Sequence, residues 1–450
     1  MIPQDMARWH MARRRAAPTR GPISAFLLAL SAAALLTSAL PARAQDSDKE
    51  IHHPMLVTRT GPYATGATGV SSGQQDYFAL VNAQGGIGGA KIRWSECEFG
   101  YETPRALECY ERFRGQWKVV YPNSTPAVVA LSERLAADKV AGINPGGNRA
   151  DATDGKTFPY LYPVVANFWA QASSTIRYIA QQEGGEDKLK GKKIAFLHID
   201  NAYGRGAIPV LEALSKRFGF EWKSFPLPLP GLEQSAAWVD IARRYRADWV
   251  IQWNYGQSCS VPFTEIQKVG FPVERFIGTL WCGSEEDISA AGDLAKNYVS
   301  ASYQGVGTGF PVIQEILGKV YGAGNGALPR ERVGTVAYNR GVFTGIVIVE
   351  AFRNAVRDHG LPLTGEKVLD GLNKVQLTKA RLKELGAEGL VPEILLSADY
   401  HGGVDPQVFQ RWDGKTWTTI SGWIPPYEDV VWEQIKRSAE AYRAEVASKK

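Results

Sequence analysis

Along most of this chain, short apolar runs rich in β-branched and aromatic residues alternate with amphipathic runs of helical period, and this alternation restricts the fold more than any other feature. Pro54–Thr58 (PMLVT) predicts a strand, and the helix after its Gly-rich loop carries Val70, Tyr77, Phe78 and Val81 at helical spacing. Asn82–Gly86 ends that helix with glycine. Ala90–Ser95 predicts the next strand, and Thr103-Pro104 supplies an N-cap and first-position proline for a helix bearing Leu107, Tyr110 and Phe113. The unit recurs with a strand at Lys118–Tyr121 and a helix from Thr125-Pro126 carrying Val128, Leu131 and Leu135. Lys192–Ile199 (KKIAFLHI) is the clearest buried strand, followed by a helix from about Gly206. Asp248–Trp253 and Arg275–Gly278 predict further strands around a helix at Val261–Val269. Strand–helix alternation implies α/β architecture with parallel sheets covered on both faces. The repeats exceed what one sheet needs, so two doubly wound parallel-sheet lobes are expected.

After Ser300 the pattern changes. Gly305–Gly309 and Gly322–Gly326 read as loops, and Tyr338–Val356 as a long helix. Beyond Pro392 the segment LLSADYHGG, and then VFQRWDGKTWTTI around Asp413-Gly414, predict β-hairpin structure. The charged tail Asp429–Lys450 predicts a solvated surface helix.

In open parallel sheets, ligands bind beyond the carboxyl ends of the strands. That rule selects the loops Thr60–Gly66, Pro122–Thr125, Asn144–Arg149, Asp200–Gly206, Asn254–Ser258 and Thr279–Glu285. Helix N-terminal amides beside Asn123, Ser124 and Thr125 suit an anion, while Tyr63, Tyr203, Tyr255 and Trp281 suit an apolar or aromatic ligand body.

The first residues call for separate treatment. Arg8, Arg13, Arg14, Arg15 and Arg20 precede an uncharged apolar stretch from Ile23 to Leu40, and Ala42-Arg43-Ala44 has the small-x-small form of a cleavage site. The stretch is also just long enough to span a bilayer, but its Ala/Ser content and A-x-A end favour a signal peptide over residues 1–44, cut after Ala44. The adjacent arginines leave both the twin-arginine and the general secretory route open. Six of the 51 basic and one of the 46 acidic residues precede the cut, leaving 45 of each in the 406 that follow. The basic excess belongs to the leader, so nothing points to nucleic acid, and no later stretch is apolar enough for a membrane span.

Export makes the four cysteines disulfide candidates, and four allow three pairings. Proximity in sequence favours Cys97 with Cys109 and Cys259 with Cys282. No CxxC exists and the histidines lack ligand spacing, so no metal is expected. The later glycine runs do not link a strand to a helix, so no nucleotide cofactor is expected either.

Three segments carry a family resemblance. Thr60-Gly61-Pro62 resembles the S/T-G-P loop of the branched-chain amino-acid (Leu/Ile/Val-type) periplasmic binding proteins. Asn82-Ala83-Gln84-Gly85-Gly86-Ile87-Gly88-Gly89 is similar to their N-x-x-G-G-I-x-G segment, and Asp200-Asn201-Ala202-Tyr203-Gly204 to their D-x-x-Y-G loop. Their order and spacing agree with the family from about Pro54 to Gly345. The resemblance implies a type I periplasmic binding fold whose two lobes are joined by three crossings, near 163–167, 300–304 and 397–402. Lobe 1 would comprise 45–163 with 302–398, and lobe 2 would comprise 164–301 with 399–450. It implies an extracytoplasmic, monomeric solute-binding component of an ABC importer. Its partners would be a small ligand and the importer's membrane subunits. Ser124 or Thr125 matches the family's ligand-binding hydroxyl region, Asn148 falls where a threonine often meets a ligand carboxylate, and Tyr203 matches the second-lobe tyrosine. Where the family has an acidic residue for an α-ammonium group, this chain has Leu280 and Trp281, with Glu285 and Glu286 later. That departure favours an aromatic or aliphatic carboxylate over a simple amino acid.

Two other functions compete. Gly69-Val70-Ser71-Ser72-Gly73 satisfies G-x-S-x-G, the nucleophile elbow of hydrolases, yet Ser71 falls inside a helical repeat rather than at a strand–helix turn. A ligand sensor for a receptor would share the fold with a transport protein; no fused signalling domain is evident, which favours transport.

Overall fold

The computed structural model describes residues 49–147 and 149–448. The leader, with its cleavage site, and Asn148 lie outside the described residues. In the first part, β1 (Glu50–Val57), α1 (Ala64–Ala83), β2 (Lys91–Glu98), α2 (Thr103–Arg112), β3 (Val119–Val120), α3 (Thr125–Asp138), β4 (Ala141–Ile143) and β5 (Leu161–Tyr162) alternate along the chain. β1 pairs with β2, and β3 with β4 and β5, all parallel. The two ladders adjoin through β1 and β3. Asn82 explains part of the glycine-rich junction: its side chain donates to Ile92 O and accepts from Ile92 N, both at 2.8 Å. Gly86 follows at φ +84°, where a Cβ would lie 2.1 Å from Ala90 O.

The second part holds α4 (Phe168–Glu183), β6 (Lys193–Ile199), α5 (Ile208–Phe218), β7 (Glu221–Leu227), α6 (Ser235–Val239), β8 (Trp249–Trp253), α7 (Val261–Val269), β9 (Phe276–Gly278), α8 (Glu285–Ile288) and β10 (Val299–Ser302). The chain then returns to the first part through α9 (Pro311–Glu315), α10 (Val336–His359), α11 (Gly365–Leu372), β11 (Gln376–Leu377), α12 (Lys379–Glu384) and β12 (Ile394–Leu395). It ends with β13 (Val408–Trp412), β14 (Trp417–Thr419) and α13 (Glu428–Ser448). The large sheet runs β14-β13-β10-β9-β8-β6-β7, parallel from β7 to β10 and antiparallel at β13 and β14.

Three apolar cores result, two in the first part and one around the large sheet, and Trp281 packs against the larger first-part core and the core of the large sheet. This is the expected two-lobed α/β architecture. Between the cores the passing strands clasp one another: Val164 N donates to His401 O at 3.0 Å, Asn167 N to Gly403 O at 2.8 Å, and Asp405 accepts from Ala166 N and Gly403 N at 3.0 Å.

Three local expectations need correction. Thr103 and Pro104 are already helical, with Glu102 as the cap. LLSADYHGG is no hairpin; Ile394–Leu395 instead pairs with Gln376–Leu377, because its partner strand lies upstream. The tail helix is not merely solvated: Val430, Val431, Ile435 and Ala439 are buried. The G-x-S-x-G segment lies inside α1, as its helical repeat predicts, and makes a helix contact. A Cβ on Gly73 would stand 2.1 Å from Tyr338 O, and one on Gly341 would stand 2.0 Å from Val70 O, so α1 and α10 cross at backbone contact. Ser71 donates to Ala67 O at 3.0 Å, within the helix.

Candidate functional site

The site forms where both strand orders reverse. In the large sheet β6 sits between β7 and β8, so the loops after β6 and β8 open on one crevice. In the other lobe the loops after β1 and β3 do the same. A cavity lies between these four loops, leaving about 60 Å³ free for the centres of water-sized spheres. One water needs roughly 10–15 Å³ by that measure, so the space suits a small molecule and not a peptide or oligosaccharide.

Of the residues expected to bind ligand, Tyr63, Asn123, Ser124, Thr125, Tyr203, Tyr255 and Trp281 all line this cavity. Ser124 caps α3, accepting from Ala127 N at 3.4 Å, and so holds that helix N-terminus at the cavity wall. Asn123 is left-handed, at φ +47°, and its side-chain oxygen accepts from the Tyr121 hydroxyl at 3.0 Å. Tyr63 meets Tyr255 at a ring distance of 4.4 Å, and Tyr255 meets Tyr203 edge-on at 4.9 Å. The Tyr203 hydroxyl is already spent on Asn254 O at 2.9 Å, so this residue offers its ring. Burial raises the pKa of each of these three phenols and keeps them neutral.

Several wall residues carry no such sequence signal. Tyr101 and Phe168 complete the aromatic cage, with Tyr101 ring contacts to Tyr63 at 4.7 Å and Tyr255 at 5.1 Å. Asp287 and Arg340 are the charged members of the wall. Arg340 stands in the second turn of α10, only 2 % exposed, and among the described residues no ion pair reaches it. It donates to Leu280 O at 2.8 Å and lies 4.4 Å from the Trp281 ring centre, while its Nε has no partner. A lone arginine in the otherwise apolar or neutral run Val336–Val349 was the one available clue.

The acidic positions also differ from expectation. Glu285 accepts from Val336 N, and Glu286 pairs with Arg332 at 2.9 Å, so neither lines the cavity. Asp287 does, one turn into the same short helix. Its Oδ2 accepts from the Ser284 hydroxyl at 2.6 Å. Burial, reinforced by Glu286 and opposed by Ser284 and Arg340, pushes its carboxyl up to about 7. An acidic group is therefore present after all, supplied six residues beyond Trp281.

The lobes touch around the cavity. Gln257 N donates to Pro62 O at 3.2 Å and Trp281 Nε1 to Gly146 O at 3.1 Å. The disulfides join Cys97 to Cys109 and Cys259 to Cys282, the expected pairs. The second ties the Tyr255 loop to the Trp281 loop. Among the described residues no group of three or more His, Cys, Asp or Glu is placed to hold a metal, and no helix is long and apolar enough to cross a membrane.

A family model for periplasmic binding proteins matches residues 50–447. The chain belongs to the periplasmic binding protein family. Such a protein binds a small solute between its lobes, which is where the cavity lies. Similar solved structures include an ABC transporter permease, so described, from the Pseudomonas fluorescens group, at 38% identity and TM-score 0.83, covering 89% of this chain and 98% of that one. A branched-chain amino-acid ABC transporter from Thermus thermophilus with bound valine is 17% identical, with TM-score 0.72 over 86% of this chain and 98% of that one. A solute-binding protein from R. palustris in complex with benzoate is 16% identical, with TM-score 0.66 over 84% and 97%. The last two share the fold. The comparison with curated proteins gave no match.

Proposed function

We propose that this periplasmic binding protein is the extracytoplasmic component of an ABC importer and binds a small amino acid or carboxylate with an aromatic or aliphatic body. Arg340 carries the reading: a buried guanidinium in no ion pair among the described residues and with a free Nε, set in a wall otherwise made largely of rings. A carboxylate supplies the missing charge, the α3 N-terminus at Ser124 and Thr125 adds donors, and the cage of Tyr63, Tyr101, Phe168, Tyr203, Tyr255 and Trp281 covers the apolar body. Asn148 completes the polar end in this reading. Cleavage after Ala44 releases a monomer that presents its closed form to the importer's membrane subunits. Lobe 1 consists of 45–163 with 302–398, lobe 2 of 164–301 with 399–450, and ligand bridging the two favours closure by its differential affinity. No catalytic step is assigned.

The test is a thermal-shift screen of branched-chain and aromatic amino acids, their deamino acids and benzoates. A true ligand at a hundredfold its Kd adds about 2.7 kcal/mol of apparent stability. An absence of any shift across that panel refutes the carboxylate assignment.

A further inference from the structure

The cavity sets one fixed cation against one acid, and the acid can change charge. The Arg340 guanidinium supplies the cation. Asp287 faces it from α8 in the same wall. The Asp287 Oδ2 takes the Ser284 hydroxyl, and Oδ1 lies beside the bare backbone of Gly66, where a Cβ would sit 3.4 Å away. A side chain on residue 66 would thus close the space in front of the carboxyl.

We infer that Asp287 is a proton-operated specificity gate: ionised, it admits carboxylates that also bring an amino group, and protonated, it admits carboxylates that do not. This rests on the proposed reading of the cleft as a carboxylate site.

The physical reason is charge counting in a desolvated space. A zwitterion offers its carboxylate to Arg340 and its ammonium to Asp287, so both buried charges are matched. A plain carboxylate beside ionised Asp287 would place two anions against one guanidinium, and like charges at close range disfavour ionisation of one of them. The plain acid therefore enters with a proton on Asp287. The groups acting on Asp287 from every side are few. Glu285 and Glu286 share its helix, and Arg332 holds Glu286 in an ion pair. Arg340 comes from α10, and the neutral phenols of Tyr203 and Tyr298 lie on the second-lobe side. Burial already holds the carboxyl at about 7 in the empty cavity, so the gate works in the range where a periplasmic protein meets changing pH.

Matched pairs test it: phenylalanine with hydrocinnamate, and valine with isovalerate, each titrated calorimetrically at pH 6 and pH 8. With the carboxyl at about 7, its protonated fraction falls about tenfold between these values. The plain acid should lose about tenfold in affinity and take up about one proton per site at pH 8, read from buffers of different ionisation enthalpy. The amino acid should hold its affinity or gain. Asp287→Asn should abolish the proton uptake and the pH dependence for the plain acid while weakening the amino acid. Glu366→Gln, exposed and outside the cavity, should change neither. A plain acid bound equally at both pH values by the unmodified protein overturns the gate and leaves the carboxylate reading standing. Failure of every compound to bind at either pH overturns both.

Discussion

Arg340→Met separates a binding role from a structural one, because the two roles predict opposite signs. The guanidinium is 2 % exposed, in no ion pair among the described residues, with one hydrogen bond to Leu280 O at 2.8 Å and a face on Trp281 at 4.4 Å. The bond contributes roughly 1 kcal/mol and the cation–π contact about 0.5–2 kcal/mol. Against these stands the cost of burying an unpaired cation, several kcal/mol even after relaxation. Methionine keeps most of the stem volume, so the empty variant should be as stable as the parent or more so. Ligand binding should suffer instead. A buried carboxylate deprived of its cation loses about 3–5 kcal/mol, or roughly two to three and a half orders of magnitude in Kd. Thermal melts with and without the best carboxylate from the screen, followed by calorimetry, read both quantities. The reasoning is refuted if Arg340→Met binds within threefold of the parent, or if the empty variant loses several kcal/mol while its affinity holds.

Four further outcomes are expected. Tyr203→Ala and Trp281→Ala should each weaken binding at least about tenfold, near 1.4 kcal/mol of lost ring contact; unchanged affinity in both would remove the site from this cavity. Gly73→Ala should cost about 1–3 kcal/mol in urea unfolding, since its Cβ meets Tyr338 O at 2.1 Å, while Gly309→Ala, with nothing within 4 Å, should show no such steric cost. Replacing Cys259 and Cys282 together by serine should cost about 2–4 kcal/mol and also loosen ligand binding, because that bridge joins two cavity loops. Asp405 is pushed up to about 7 by burial despite two backbone donors. The native state thus keeps this proton to higher pH than the unfolded chain, and its contribution to stability falls as pH rises from about 4 toward 7. Asp405→Asn, whose amide oxygen still accepts from Ala166 N and Gly403 N, should gain melting temperature relative to the parent at pH 8 over pH 5. An equal difference at both would contradict the buried-acid account.

Much of the fold was legible because its determinants are local. The helix at Val261–Val269, the strand core at Lys193–Ile199 and the Asp413-Gly414 hairpin follow from periodicity and turn chemistry within a few residues. The family segments around Thr60, Asn82 and Asp200 were readable for the same reason. Errors arose where a partner was distant. Ile394–Leu395 pairs upstream with Gln376–Leu377, and α13 buries a face that its charge pattern disguises. The helical repeat placed G-x-S-x-G inside a helix, but not the close crossing of α1 and α10 that Gly73 and Gly341 permit.

The cleft divides along the same line. Sequence alone pointed to four of its rings, Tyr63, Tyr203, Tyr255 and Trp281, and to its α3 terminus, because strand-end loops must open at one edge of a parallel sheet. It also determined the disulfide pairs, whose cysteines lie close along the chain. Only the tertiary structure decided the polar pair. Arg340 belongs to a helix more than 50 residues beyond Asp287 in sequence, and neither side chain reveals its role until chain crossing brings α10 over the second-lobe loops. Periodicity reports which face of an element is buried; it does not report which other element lies opposite, and charge selection in this cavity depends on that.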